Sequence, residues 1–263
     1  MKKFITLVAV GIGFLAFASL ASAQIASSLH NLSSGGPNGI KGAVDEICVY
    51  CHTPHGGKKA IDPAGDWAPL WNRNYDPTTG GAFTVYNSYT VDAARSNPPT
   101  GVSKACLSCH DGTLGLNQLI NWPGRGSGAA FVPNPDSSNQ IGTVPPGVNN
   151  MALIGRDLSD DHPVSMNYAD ALSYGTGGAI GEDTHAAGFR ASAGSGNRWT
   201  VVNGTVTLPL YGSSQATAKV ECGSCHDPHE ARSFAAQSGT GGSVMFLRAA
   251  NTASALCITC HLK

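Results

Sequence analysis

The chain is poor in the residues from which a large hydrophobic core is usually built. Aromatic residues make up 7% of its 263 residues and charged residues 13%, whereas glycine occurs 33 times. Such a composition offers few amphipathic helices and few large side chains around which a core can form. A core can still come from elsewhere, for instance from large apolar cofactors.

The sequence also lacks an excess of charge of one sign. Its 16 lysines and arginines nearly balance 17 aspartates and glutamates, and the basic residues form no stripe. Proteins that bind nucleic acid carry a concentrated basic surface for the phosphates. The sequence therefore predicts no nucleic-acid partner.

Long hydrophobic runs are absent after residue 20. A positive start, Lys2-Lys3, precedes an apolar run over residues 4–20, and residues 21–23 are the small residues that a signal peptidase requires. The alternative is a membrane anchor, but the run is shorter than the ~20 residues of a comfortable span and ends in a cleavage site. We predict an export signal over residues 1–23 and a mature chain without a membrane span.

No cysteine stands outside a C-x-x-C pair, and histidine directly follows each pair. The four motifs are Cys48-Val-Tyr-Cys51-His52, Cys106-Leu-Ser-Cys109-His110, Cys222-Gly-Ser-Cys225-His226 and Cys257-Ile-Thr-Cys260-His261. C-x-x-C-H is the attachment signature of c-type haem. The two thiols add across the haem vinyl groups, and the histidine binds the iron from the proximal side.

Paired cysteines also have uses other than haem attachment. In exported proteins they usually form disulfides, and a single C-x-x-C-H can belong to a zinc site or a redox dithiol. A zinc site leaves four adjacent histidines unexplained, and the four copies use every cysteine. The sequence therefore predicts four haem c groups, bound through all eight cysteines, with the four following histidines as proximal iron ligands.

Five further histidines are available for the distal side of the irons. They are His30, His55, His162, His185 and His229. Four bis-histidine haems need four of them. His55 and His229 stand three positions after a proximal ligand, on the wrong side to bind the same iron. We predict that each ligates a neighbouring haem across a turn stiffened by Pro54 or Pro228.

The order of these residues occurs twice along the chain. A lone histidine, His30 or His162, is followed by C-x-x-C-H-x-x-H and then by C-x-x-C-H. His185 is then the spare histidine, predicted on the surface or in a loop. Met166 is possible in principle as an axial ligand, but the histidines suffice. Because an iron with both axial positions filled transfers electrons and does not activate substrates, this ligand count favours a carrier over an enzyme.

The repeated order predicts two two-haem units, residues 24–122 and 151–263. Residues 123–150 are dense in Gly, Pro, Asn and Ser and are predicted to form a linker or long loop. The predicted fold class is mostly irregular chain with short helices near the motifs and few short strands, organised around the four haems. Without haem we expect no stable fold.

Local patterns predict a few further features. Residues 83–91 favour a short strand, and residues 198–210 favour a β-hairpin with its turn at Asn203-Gly204. Trp67 and Trp71 are interpreted as loop residues that pack on haem, and a plain core role is equally open.

The motifs resemble those of the doubled-C-x-x-C-H multihaem c-type cytochromes of metal-reducing bacteria, which include the extracellular tetrahaem nanowire cytochromes. The likeness lies in residues 48–55, 105–113, 158–165 and 222–229 and in the ligand order. It implies a multihaem cytochrome c fold and polymerisation into a filament in which a histidine of one subunit ligates a haem of its neighbour. The matching candidate is His30, which can equally ligate a haem of its own chain.

Electron transfer is thus the predicted function. In the leading hypothesis an extracellular or cell-surface filament receives electrons from an upstream redox partner and passes them to an external acceptor such as a metal oxide. The alternative is a monomeric periplasmic shuttle. A third hypothesis, a multihaem reductase, requires one iron with an open axial position.

Overall fold

The structure is a computed structural model that describes residues 25–37, 39–57, 70–76, 78, 81–88, 91, 93–123, 141, 152–173, 188–230, 233–235 and 243–262. The predicted export signal, Trp67, His185 and nearly all of the predicted linker lie outside these residues. Their predicted roles therefore stay predictions.

The described helices are short, and most of them coincide with the cysteine motifs. The α-helices are α1 Gly101–His110, α2 Tyr168–Ser173, α3 Cys222–Cys225 and α4 Cys257–Cys260. Turns of 3-10 helix lie at Cys48–Tyr50, Gln215–Thr217 and Thr252–Ser254. Each motif is therefore carried by a helical turn.

No described helix has both the length and the apolar character needed to cross a membrane.

The strands are also short and form four small sheets in the described part. They are β1 Thr84–Val85, β2 Asp157–Leu158, β3 Met166–Asn167, β4 Ser192–Ser195, β5 Arg198–Asn203, β6 Val206–Leu210, β7 Lys219–Val220, β8 Ser233–Ala235 and β9 Ser243–Met245. The largest sheet has the order β4-β5-β6, while β1 pairs with β2, β3 with β7 and β8 with β9. The strand predicted within residues 83–91 is only the two-residue β1.

The predicted hairpin over residues 198–210 is confirmed. β5 and β6 are antiparallel, and Asn203 pairs with Val206 across the turn. The turn lies one residue later than predicted, at Gly204-Thr205, and Gly204 has φ +59°. Glycine suits this left-handed conformation because it has no Cβ to clash with the backbone.

A polypeptide core forms against this hairpin. Its buried members are Ala93, Met166, Tyr168, Val201, Leu210, Ala218 and Val220. Tyr168 adds a 2.6 Å hydrogen bond from its hydroxyl to the carbonyl of Arg190. Met166, considered above as an axial ligand in principle, lies in this apolar cluster with 6% of its surface exposed.

Strand pairing connects the two predicted units. β1 belongs to the first unit and lies parallel to β2 of the second, with Thr84 opposite Asp157. Arg95 forms a further bridge with Met166 of β3. The second and third motifs are consequently held next to each other, which sets the geometry of the site.

Candidate haem-binding site

Helical turns present both cysteines of each motif toward the same side. Residues three apart on a helical turn are neighbours on its surface, so an x-x spacer brings two thiols to one face. The backbone N–H groups of His52, His226 and His261 donate to the carbonyl of the first cysteine of their motif, at 2.8, 3.0 and 2.9 Å. All eight cysteines are free of disulfide bonds in the structure.

Six histidines meet in three pairs, and each pair joins a predicted proximal ligand to a predicted distal one. The ring centres are 6.1 Å apart for His110 and His30, 6.0 Å for His52 and His229, and 6.4 Å for His261 and His162. Members of a pair are far apart in sequence. Their meeting is therefore a result of the tertiary fold.

The spacing of these pairs fits one metal ion between two imidazoles. An imidazole nitrogen binds a transition metal at ~2.0–2.1 Å and the ring centre lies ~1.1 Å behind it, so two rings on one ion have centres ~6.3 Å apart. The planes of the rings meet at 79°, 16° and 77°. Two histidines on one metal ion can adopt any of these angles, because each ring can rotate about its bond to the metal. The residues present thus fit bis-histidine haem iron.

One of the three pairs joins histidines of the two predicted two-haem units, whereas motif order groups each histidine with the motifs of its own unit. His229 belongs to the second unit but faces His52 of the first. The contact thus joins a histidine of the second predicted unit to a motif of the first. His30 lies against His110 of its own chain, which is the intrachain alternative to a ligand shared between subunits.

The other three histidines lie outside these pairs. His226 follows α3, and its backbone bridges Leu247. His55 is exposed, and its carbonyl accepts hydrogen bonds from Thr53 Oγ1 at 3.0 Å and Asn121 Nδ2 at 2.9 Å. His185 lies beyond the described residues. If all four haems are bis-histidine as predicted, His55 and His185 are the histidines left for the fourth distal position.

Three of the paired histidines have a hydrogen-bond partner at Nδ1, so Nε2 is the nitrogen that would bind a metal ion. Nδ1 of His110 lies 2.6 Å from the carbonyl of Ala152, and Nδ1 of His162 lies 3.0 Å from the carbonyl of Pro163. Nδ1 of His229 lies 3.3 Å from Oδ1 of Asp227. Metal-binding histidines usually make such a bond, because it fixes the tautomer and the orientation of the ring.

Burial keeps one distal candidate neutral. The pKa of His30 is lowered to about 4, chiefly by burial and then by the nearby His110. A neutral imidazole has the free lone pair that a metal requires. His30 is therefore ready to act as a ligand throughout the physiological pH range.

Aromatic side chains pack on these histidines. Phe246 stacks on His30 at 4.3 Å, Trp71 lies edge-on to His52 at 5.6 Å, and Phe189 lies 4.7 Å from His261. The prediction that Trp71 packs at a haem site is compatible with this contact. Phe189 and Phe246 were not predicted, because no local pattern marks them.

Thiols of successive motifs lie close together. Burial raises the pKa of Cys51, and the nearby thiol of Cys109 raises it further. A hydrogen bond between the thiols of Cys106 and Cys222 raises the pKa of Cys106 and lowers that of Cys222. Burial raises the pKa of Cys225 to about 11, with the thiol of Cys260 as the next cause. The four attachment points thus follow one another in chain order.

A buried carboxylate joins the helices of the second and third motifs. Glu221, 1% exposed, precedes α3, and its Oε2 accepts hydrogen bonds from the hydroxyls of Ser103 on α1 and Ser165. The hydroxyl of Ser103 also accepts from the N–H of Cys222 at 2.9 Å. Burial raises the pKa of Glu221 to about 8, against the lowering effect of both serines. No sequence pattern predicted this junction.

Residues 152–156 hold the end of the second motif through hydrogen bonds and an ion pair. The N–H groups of Ile154 and Gly155 donate to the carbonyl of His110 at 2.9 and 3.0 Å. Arg156 forms a 3.1 Å ion pair with the buried carboxylate of Asp111. These contacts hold the Ala152 carbonyl at the His110 ring.

An open cavity of about 310 Å³ lies beside the first motif. Its lining residues are Glu46, Cys48, Val49, His52, Thr53, Pro54, Asn121, Trp122 and Pro123. The cavity thus contains one thiol and one imidazole of a predicted attachment site. It provides room beside His52.

These features define a class of site, four candidate positions for c-type haem, three of which have two histidine rings with centres 6.0–6.4 Å apart. No protein-family model matches the chain, and no curated protein matches it. The assignment of the class therefore depends on the motifs and on the geometry described above.

Proposed function

We propose that this protein is a tetrahaem c-type cytochrome that carries electrons. The observation that supports this most directly is the set of three histidine pairs. Each combines the histidine of a C-x-x-C-H motif with a distant histidine at the spacing of two ligands on one iron. When bound, each haem iron supplies a one-electron ferric/ferrous couple.

The roles of the residues follow from their positions. The eight cysteines of the motifs hold the haems by thioether bonds, and His52, His110, His226 and His261 bind the irons from the proximal side. His30, His162 and His229 are the distal ligands within the chain. Two histidines on one iron leave no position for a substrate, so the three pairs favour a carrier over an enzyme.

The contacts between motifs support transfer from haem to haem. The thiols of Cys51 and Cys109, of Cys106 and Cys222, and of Cys225 and Cys260 influence each other electrostatically, which supports attachment points arranged in series. The Glu221 junction fixes the distance between the second and third positions. Electrons then have a continuous route from the first motif to the fourth.

The finer proposal is an exported filament, extracellular or at the cell surface, that takes electrons from an upstream redox partner and delivers them to an external acceptor. The family resemblance is its main support. Because His30 faces His110 in its own chain, the exposed His55 replaces His30 as our candidate for a ligand shared between subunits. Electron microscopy of the purified holoprotein tests this proposal: fibres support it, and dispersed particles favour the periplasmic shuttle.

Mass spectrometry of the native secreted protein tests the haem assignment. We expect the mass of the chain plus four haems and a purely low-spin spectrum in both redox states. Replacement of Cys48 and Cys51 by serine should remove one haem and leave three. Disulfides or zinc in place of porphyrin would contradict the proposal, and a high-spin haem in the wild type would favour a reductase.

A further inference from the structure

Three residues of the third motif region form a hydrogen-bonded chain that ends at a candidate iron ligand. The guanidinium of Arg248 donates to Oδ2 of Asp227 at 2.9 Å, and Oδ1 of Asp227 lies 3.3 Å from Nδ1 of His229. The ring of His229 in turn faces His52. The carboxylate therefore takes Nδ1 of His229, which leaves Nε2 as the nitrogen that would bind iron.

Further hydrogen bonds fix the positions of Asp227 and Arg248. The N–H of His229 donates to Oδ1 of Asp227 at 3.1 Å, and the N–H of Asp227 donates to the carbonyl of Phe246 at 2.7 Å. The N–H of Arg248 donates to the carbonyl of Cys225 at 2.9 Å, and its Nε donates to the carbonyl of Gly223 at 2.7 Å. Asp227 is thus fixed relative to both the motif and the ring of His229.

The other histidines with a described Nδ1 partner are placed differently. His110 and His162 direct Nδ1 at neutral backbone carbonyls. In the first C-x-x-C-H-x-x-H segment the position of Asp227 is taken by Thr53, whose hydroxyl donates to the carbonyl of His55. The same motif therefore has a carboxylate at the imidazole in one copy and, at the equivalent position of the other, a hydroxyl that bonds the backbone.

A hydrogen bond to a carboxylate changes the electronic character of a ligating imidazole. When Nε2 binds iron, Nδ1 carries the proton and donates it, and an anionic acceptor makes this bond stronger than a neutral one. The imidazole then becomes a more basic ligand. A more basic ligand stabilises ferric iron relative to ferrous iron and so lowers the reduction potential.

We propose that Asp227 is a positioning residue that orients His229 and lowers the reduction potential of the haem held between His52 and His229. This inference rests on the proposed haem function and deepens it. It predicts that the reduction potential of one of the four haems is set apart from the others by a residue that does not bind iron. Arg248 keeps the carboxylate in place and partly neutralises it.

The test is a site-resolved redox titration of the holoprotein carrying Asp227→Asn, followed by EPR. Asparagine retains an oxygen for the N–H of His229 but removes the charge. We expect one haem of the four to become easier to reduce by about tenfold, a rise of about 59 mV for a one-electron couple. Asp227→Glu, which restores the charge, should recover at least part of the shift.

Glu230→Gln is the matched control, since it removes a carboxylate one position beyond His229. An equal shift in this variant, or equal shifts at all four haems, would mean that only net charge matters and would overturn the proposal. Unchanged potentials in Asp227→Asn would overturn it as well. A high-spin signal in Asp227→Asn that Asp227→Glu removes supports the orienting role. Haem content, measured on the same samples, separates these outcomes from failure of the proposed function, which would appear as missing haem in the wild type.

Discussion

The two C-x-x-C-H-x-x-H segments, residues 48–55 and 222–229, share one pattern but are held in different ways. The first begins with a 3-10 turn, and Ile47 before it provides no side-chain cap. The second begins with α3, where Glu221 and Ser224 form a reciprocal capping box with the backbone. A buried carboxyl network therefore anchors the start of the second segment. The first segment is held by Asn72, which donates from Nδ2 to the carbonyl of Val49 and from its N–H to the carbonyl of Cys51, both at 2.8 Å.

The difference extends to the last histidine of each segment. His55 is exposed, with a threonine as its neighbour in the motif. His229 is fixed by Asp227 and faces His52. The motif determines where a second histidine stands in the sequence, whereas the packing around it decides which iron it can reach.

The largest expected effect comes from removing each of these histidines. In His229→Ala the iron beside His52 loses its distal ligand, so one haem of the four should become high-spin in the EPR spectrum of the assembled holoprotein. His55→Ala should leave that haem low-spin. In the double variant the two effects should add, because the histidines serve different irons. If the two single variants and the double variant gave the same spectrum, both histidines would serve the same iron. The difference between the two segments would then be lost.

Removal of the buried carboxylate should reveal the difference in anchoring. Glu221→Ala leaves the hydroxyls of Ser103 and Ser165 without their acceptor, so we expect a loss of about 2–3 kcal/mol in the free energy of unfolding. Glu46, exposed just before the first motif, is the matched control, and Glu46→Ala should change stability by less than about 0.5 kcal/mol. Denaturant titration of the holoproteins measures both. Similar losses in the two variants would show that the Glu221 junction adds no stability.

The same carboxylate should make stability depend on pH. The pKa of Glu221 is raised to about 8 in the folded chain from an ordinary 4.5. Between these values the folded state binds more protons than the unfolded state. Stability is therefore expected to fall as pH rises through this window, by at most about 1.4 kcal/mol per pH unit.

The replacement Glu221→Gln isolates this effect, because glutamine is neutral at every pH. The decline between pH 4.5 and 8 should be absent from its pH profile of unfolding midpoints. The opposite outcome, a variant profile that declines as steeply as that of the wild type, would assign the pH dependence to other groups.

The local features of this molecule were accessible from sequence, and the nonlocal ones were not. Cysteine spacing predicts the helical turns of the motifs, and Asn203-Gly204 predicts the hairpin, because both depend on a few neighbouring residues. The partner of His229 depends on how chain segments more than 170 residues apart pack. Motif order groups His229 with the second unit, whereas the structure places its ring at His52 of the first. Phe246 and the junction of Ser103 with Glu221 arise in the same way.

The smallest expected effect concerns the capping box alone. Ser224, 3% exposed, accepts a 3.0 Å hydrogen bond from the N–H of Glu221, and Ser224→Ala should cost about 1 kcal/mol because that donor is then left buried. Ser213→Ala, at an exposed position, is the control and should be neutral within about 0.5 kcal/mol. If Ser224→Ala is also neutral, the anchoring of the second segment comes from the Glu221 junction with α1 and not from the cap of α3. The two variants together therefore separate a local from a tertiary cause of the contrast.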